Sequence, residues 1–177
     1  VNGFTMTNCE VKGNGAQGCF IAAAVDAGSF NNVSITNSDF SNNLQKGMYF
    51  EQLSNAMISG ITMNNSGTDA AYNTNAGIDV NLKYGAYSNI VIQNSEFTNC
   101  GATGSASDLT APVVIGIKAR DDAPSYNSNP ASLSNVTIQN NVISGPNNGI
   151  RFGEFGKINA GPSAVAVHNN DLSGAAT

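Results

Sequence analysis

Charge is what this sequence has least of: Asp, Glu, Lys and Arg make up 11% of its 177 residues, less than half the usual share of about a quarter. Apolar residues still make up 41%, so the shortage does not signal disorder, which goes with high charge and few Ile, Val and Phe. Seven Lys+Arg against twelve Asp+Glu leave a net charge of -5, and neither sign is gathered into a run. Nucleic acid is excluded as a partner on that balance. Long hydrophobic runs are also missing, the longest being Cys19 to Val25, far short of a bilayer. Trp is absent and His occurs once, as His168, with no second ligand spaced for a metal. The three cysteines, Cys9, Cys19 and Cys100, form no CxxC and cannot close an even disulfide set, so they are expected as buried free thiols. The chain begins at Val1 rather than Met and is read as a processed chain or a segment of something longer.

What is abundant is Asn, at 27, and Gly, at 19, and both recur at intervals. Phe4-Thr-Met-Thr-Asn8, Val33-Ser-Ile-Thr-Asn37, Ile61-Thr-Met-Asn-Asn65, Ile90-Val-Ile-Gln-Asn94, Val136-Thr-Ile-Gln-Asn140 and Val165-Ala-Val-His-Asn169 share one pattern of apolar, any, apolar, polar, Asn. The Asn positions are 29, 28, 29, 46 and 29 residues apart, the long interval carrying an insertion. Alternation of this kind marks a strand with one buried face. Further apolar columns accompany it: Val1, Phe30, Ile58, Tyr87, Leu133 and Pro162 on one side, and Val11, Phe40, Thr68, Phe97, Ile143 and Leu172 on the other, Thr68 being the one departure. A second strand, opened by glycine, lies between copies: Gly18-Cys-Phe-Ile, Gly47-Met-Tyr-Phe, Gly77-Ile-Asp-Val, Gly116-Ile-Lys-Ala and Gly149-Ile-Arg-Phe.

No helical period separates these strands, so βαβ units are excluded, and a hairpin sandwich would not keep equivalent positions in register. Coiling does both. With one repeat per turn, equivalent residues stack at about 4.8 Å and each column becomes a continuous ladder. Asn8, Asn37, Asn65, Asn94, Asn140 and Asn169 are expected to turn inward and hydrogen-bond from rung to rung as a structural ladder. The expected fold is all-β, one parallel solenoid domain over residues 1–177 of about six coils. No end caps are evident, and loop insertions fall at about 100–112 and 121–133. Because apolar columns run to both ends, the expectation is a piece of a longer rod, whose partners are adjacent β-helix coils or copies of itself.

The V-x-I-x-N-N/S repeats and the N-x-G-I-x-F/V strands resemble the right-handed parallel β-helix, or pectin-lyase-like, superfamily, over essentially the whole chain. The resemblance implies that fold and leaves function wide, since the superfamily includes polysaccharide lyases, hydrolases, epimerases, phage tailspikes and non-enzymatic bacterial surface proteins.

If the glycine-opened strands are in register as written, they present an outward column Phe20, Tyr49, Asp79, Lys118, Arg151, with Ala22, Glu51, Asn81, Arg120 and Gly153 beside it. The resemblance implies a carbohydrate-active use of such a face. A uronate lyase needs a base to take the C5 proton and a cation to neutralise the carboxylate. Lys118 is the candidate base and Arg120 or Arg151 the neutraliser. Asp79, with Asp121 and Asp122, offers acid/base chemistry or a candidate Ca²⁺ site, although no cofactor is required. Phe20, Tyr49, Glu51 and Asn81 are the candidate carbohydrate-binding residues. The plainer reading is a ladder of opposite charges paired across strands, and the Gly-His-Gly of polygalacturonases is missing. The functional expectation is therefore an extracellular, non-catalytic scaffold or adhesive module of a bacterial surface protein or filament, stacking end to end. The alternative is a polysaccharide lyase, epimerase or hydrolase, or a glycan binder, acting on an acidic polysaccharide along that face.

Overall fold

A computed structural model describes residues 1–25, 29–102, 109–145, 148–158 and 161–175. Its strands are β1 (Asn2–Thr7), β2 (Gln17–Ile21), β3 (Asn31–Thr36), β4 (Lys46–Phe50), β5 (Ser54–Ser59), β6 (Thr62–Asn64), β7 (Ala76–Leu82) and β8 (Ala86–Gln93). They continue with β9 (Glu96–Thr98), β10 (Ala111–Ile117), β11 (Ser132–Gln139), β12 (Val142–Gly145), β13 (Ile150–Phe152), β14 (Ser163–His168) and β15 (Asp171–Ala175). One short helix, α1 (Pro124–Ser128), interrupts them.

These strands form three sheets: β1-β3-β5-β8-β11-β14, β13-β10-β7-β4-β2 and β15-β12-β9-β6. Every pairing is parallel, and isolated bridges Glu10↔Asp39↔Thr62 extend the third sheet. The chain visits the first, third and second sheets in turn and then returns to the first. This architecture is consistent with a parallel all-β solenoid. Side chains inside stack in columns, such as Ile35, Ile58, Ile92 and Ile138 from the first sheet, all fully buried. Of the thiols, all free, Cys100 is buried and Cys9 and Cys19 are half-buried.

The register corrects the alignment at its third copy. Ile58 pairs with Ile35 and Ile92, so the first sheet takes Ala56-Met57-Ile58-Ser59-Gly60, while Ile61-Thr-Met-Asn-Asn65 crosses into the third sheet through β6. The cause is a short lap. From Asn37 to Gly60 the chain needs 23 residues, and two alternating stretches lie back to back within it. Once the shift is made, Leu53 replaces Ile58 in the column of Phe30, and Met63 replaces Thr68 beside Phe97. Both newcomers are fully buried, so the departure at Thr68 disappears.

The turn from the first to the third sheet is always two residues long. Its first residue is Asn8, Asn37, Gly60, Asn94, Asn140 or Asn169, with φ between 49° and 66°. Asn tolerates this left-handed conformation better than other non-glycine residues. These asparagines are exposed, so the expected inward ladder is displaced by one residue. The second turn residue faces inward and hydrogen-bonds along the axis. Cys9 N donates to Ser38 Oγ at 3.1 Å, Ile61 N to Ser95 Oγ at 3.0 Å, Ser95 N to Asn141 Oδ1 at 3.0 Å and Asn141 N to Asn170 Oδ1 at 3.0 Å. Asn65 belongs to another left-handed corner, after the third sheet, and its Oδ1 accepts from Asn99 Nδ2 at 2.8 Å.

A true amide ladder does exist, at the opposite end of the first sheet and on the outside. Asn32 Nδ2 donates to Asn2 Oδ1, Asn89 to Asn55 and Asn135 to Asn89, each at 2.6 Å. Asn32, Asn55, Asn89 and Asn135 all have a left-handed backbone, with φ between 48° and 60°.

Candidate functional site

The outer face of the second sheet gathers most of the scarce charge. In the observed register Ile78 pairs with Val113 and Val113 with Ile150, so Pro112, and not Gly116, stands level with Gly77. The outward column is therefore Phe20, Tyr49, Asp79, Val114, Arg151. Beside it run Glu51, Asn81 and Gly116. Lys118 and Arg120 lie beyond the end of β10, where Lys118 N bonds to Leu82 O at 2.8 Å and Arg120 N to Ile158 O at 2.9 Å. A four-residue slip explains the difference: Val-Val-Ile-Gly-Ile alternates equally well from two starting points.

Five of the seven basic residues meet carboxylates or other polar groups here. Lys46 Nζ contacts Asp79 Oδ2, Lys83 Nζ contacts Glu51 Oε1, and Lys118 Nζ contacts Asp122 Oδ2 and lies 3.4 Å from Glu154 Oε1. Lys157 Nζ lies 2.8 Å from Asp122 Oδ1. Arg151 donates through Nη1 to Gly153 O. Asp79, Glu51 and Asn81 were expected on the surface, yet they are 2%, 5% and 8% exposed. The segment after β13 is one cover: Glu154 Oε1 accepts from Asn81 Nδ2 at 2.6 Å. Asp121 Oδ1 accepts from Ile158 N at 3.0 Å, so Asp121 and Asp122 are each engaged with the same segment. Among the described residues no group of three His, Cys, Asp or Glu is placed to hold a metal ion. Of the insertion at 100–112, residues 103–108 lie outside the described residues. The insertion at 121–133 folds as α1, whose Tyr126 ring sits 5.4 Å from that of Tyr84.

Phe20 and Tyr49 form a parallel stack with ring centroids 5.0 Å apart, and Phe20 is half exposed. Tyr49 donates to Glu51 Oε1 at 3.0 Å. Burial, with the negative charges of Asp79 and Glu51, drives its phenol far above the ordinary value. At the far edge of the sheet, Ile150, Arg151, Phe152, Glu154 and Phe155 line an open cleft of about 370 Å³. Burial lowers the Arg151 guanidinium more than Asp79 and Glu154 raise it. His168 stands exposed on β14, opposite Gln139.

Sequence reasoning overlooked Lys46, Lys83, Glu154 and Lys157. Lys46 carried no signal, since the alternation puts it on the side of Met48 and Phe50, away from Tyr49 and Glu51. Glu154 and Lys157 arrive from a loop with no period to place them.

Burial opposes ionisation of Asp122, but the ammonium groups of Lys118 and Lys157 outweigh it and hold its carboxyl below the usual value. A depressed folded-state value means that the stabilisation is complete above the ordinary carboxylate range, about pH 4, and is lost as pH falls through the folded value. Unfolding followed between pH 7 and pH 2 should show this loss, and Asp122→Asn should flatten it.

The chain matches no protein-family model, no curated protein and no solved structure.

Proposed function

We propose that the chain is a right-handed parallel β-helix of about six coils, pectin-lyase-like in its repeat. It acts outside the cell as a non-catalytic scaffold or adhesive module of a surface protein or filament. The observation that carries this reading is the mutual neutralisation of the charged face. Burial lowers the Lys118 ammonium, yet Asp122 and Glu154 outweigh it and raise its pKa above the ordinary value. It therefore stays protonated near neutrality and cannot take the C5 proton of a uronate. Lys46 and Lys83 are likewise spent on carboxylates inside the protein. Val165, Val167 and Leu172 stand about two-fifths exposed on β14 and β15, the places where a further coil of like geometry or a second copy would seat.

Screening pectin, alginate and related acidic polysaccharides for unsaturated or reducing-end products should give no turnover, with light scattering showing end-to-end assembly. Turnover by a strictly monomeric protein, abolished by Lys118→Ala, would reverse the conclusion in favour of a lyase.

The Phe20–Tyr49 stack supports a second reading, in which the same face holds a glycan without cleaving it. An exposed aromatic plane offers the apolar face of a sugar a contact on the order of 1 kcal/mol. Phe20→Ala should then weaken glycan affinity several-fold, and the absence of any affinity in the parent protein would remove this reading.

A further inference from the structure

Lys46 and Asp79 differ from the other ion pairs of the face in being dry. Each side chain is 3% exposed. The Tyr49 ring centroid lies 3.9 Å from Lys46 Nζ and that of Tyr72 lies 5.6 Å away, so aromatic surface closes the site against water. Glu51 also receives Ala23 N at 2.9 Å and Tyr49 Oη at 3.0 Å, and Asp122 is shared by two lysines. Asp79, by contrast, has an Oδ1 that is buried with no hydrogen-bond partner. A permanently ionised carboxylate left half satisfied in so dry a place is costly.

We propose that Lys46 and Asp79 condense into an intramolecular isopeptide bond that staples β4 to β7. Proton transfer within the pair gives a neutral amine, which is nucleophilic, and a neutral acid. Nζ then attacks Cγ and the Cγ–Oδ2 bond breaks. Two of the three ammonium protons leave with Oδ2 as water, and the third remains on the amide nitrogen. No oxidant or reductant takes part. Oδ1 becomes the oxygen of a neutral amide, for which a missing partner costs less than for a carboxylate. The two strands hold the reacting groups in contact, which replaces a bimolecular encounter with a positioned one. The wetter pairs at Glu51 and Asp122, with their carboxylates fully engaged, remain ionic. This inference stands apart from the functional reading, because a staple of this kind serves a scaffold and an enzyme equally.

Mass spectrometry of the denatured full chain tests it without regard to folding of any variant. The expected mass is lower than that of the sequence by one water. Trypsin, which cuts after Lys12 and Lys83 but is blocked at a linked Lys46, should leave residues 13–83 as one piece carrying that loss. Lys46→Met should return to the full mass of its own sequence, and Asp79→Asn should lose ammonia in place of water. A parent chain of full mass that is cut after Lys46 overturns the proposal. So does a water loss that persists in Lys46→Met, since dehydration elsewhere would then be its source.

Discussion

Asn141→Leu should lower the stability of the protein by about 4 kcal/mol, whereas Asn140→Gly, one residue earlier, should change it by less than about 0.5 kcal/mol. Asn141 is 1% exposed. Its Oδ1 accepts from Ser95 N at 3.0 Å, and its Nδ2 donates to Ile92 O at 3.1 Å and to Asn170 Oδ1 at 2.9 Å. Leucine fills a similar volume but leaves the buried Ser95 amide and its neighbours without partners, at about 1–3 kcal/mol for each group stranded. Asn140 is exposed at φ 55°, a conformation that glycine adopts freely. Denaturant unfolding of the two variants measures the contrast. Equal effects would mean that the turn does not divide its two residues between inside and outside.

A carboxylate at position 63 should prevent folding of the middle of the solenoid. Met63 is fully buried, opposite Phe97 in the third sheet. Met63→Asp would place an uncompensated charge there, with an expected loss above about 4 kcal/mol. Thr68→Asp should be tolerated, because Thr68 lies in a loop and is half exposed. If the repeat were spaced as its consensus suggests, the two results would be exchanged. Circular dichroism and thermal unfolding of both variants distinguish the registers.

That exchange shows where the sequence could be read and where it could not. Strand alternation and the recurrence of Asn placed all-β parallel order over the whole chain, because each lap must bury the same face. Register at the shortest lap was not legible. Ala56-Met57-Ile58 and Ile61-Thr62-Met63 satisfy the same local rule, and only contact with the neighbouring laps chooses between them. The same ambiguity moved Lys118 out of the charged column and put Val114 in its place. Asn8, Asn37, Asn94, Asn140 and Asn169 were rightly seen as equivalent, but a consensus does not say whether a side chain serves its own left-handed backbone or the rung beside it. In this turn the asparagine does the first and the next residue does the second. The burial of Asn81 was hidden for another reason. Its cover comes in part from the segment following β13, where Glu154 accepts its amide, far away in the chain and without a repeat of its own.

The two-residue turn between the first and third sheets has a consequence for how such a chain can change. It keeps its length in every lap, while the intervals from one such turn to the next run from 23 to 46 residues. Among the described residues the difference is taken up at the other two corners, where the loop at 68–75, α1 and the segment following β13 emerge. The molecule is therefore shaped like the blade of a key, plain along one edge and cut along the other. New peptide can be spliced into the cut edge without rethreading any rung, and novelty acquired in this way faces outward from the moment it arises.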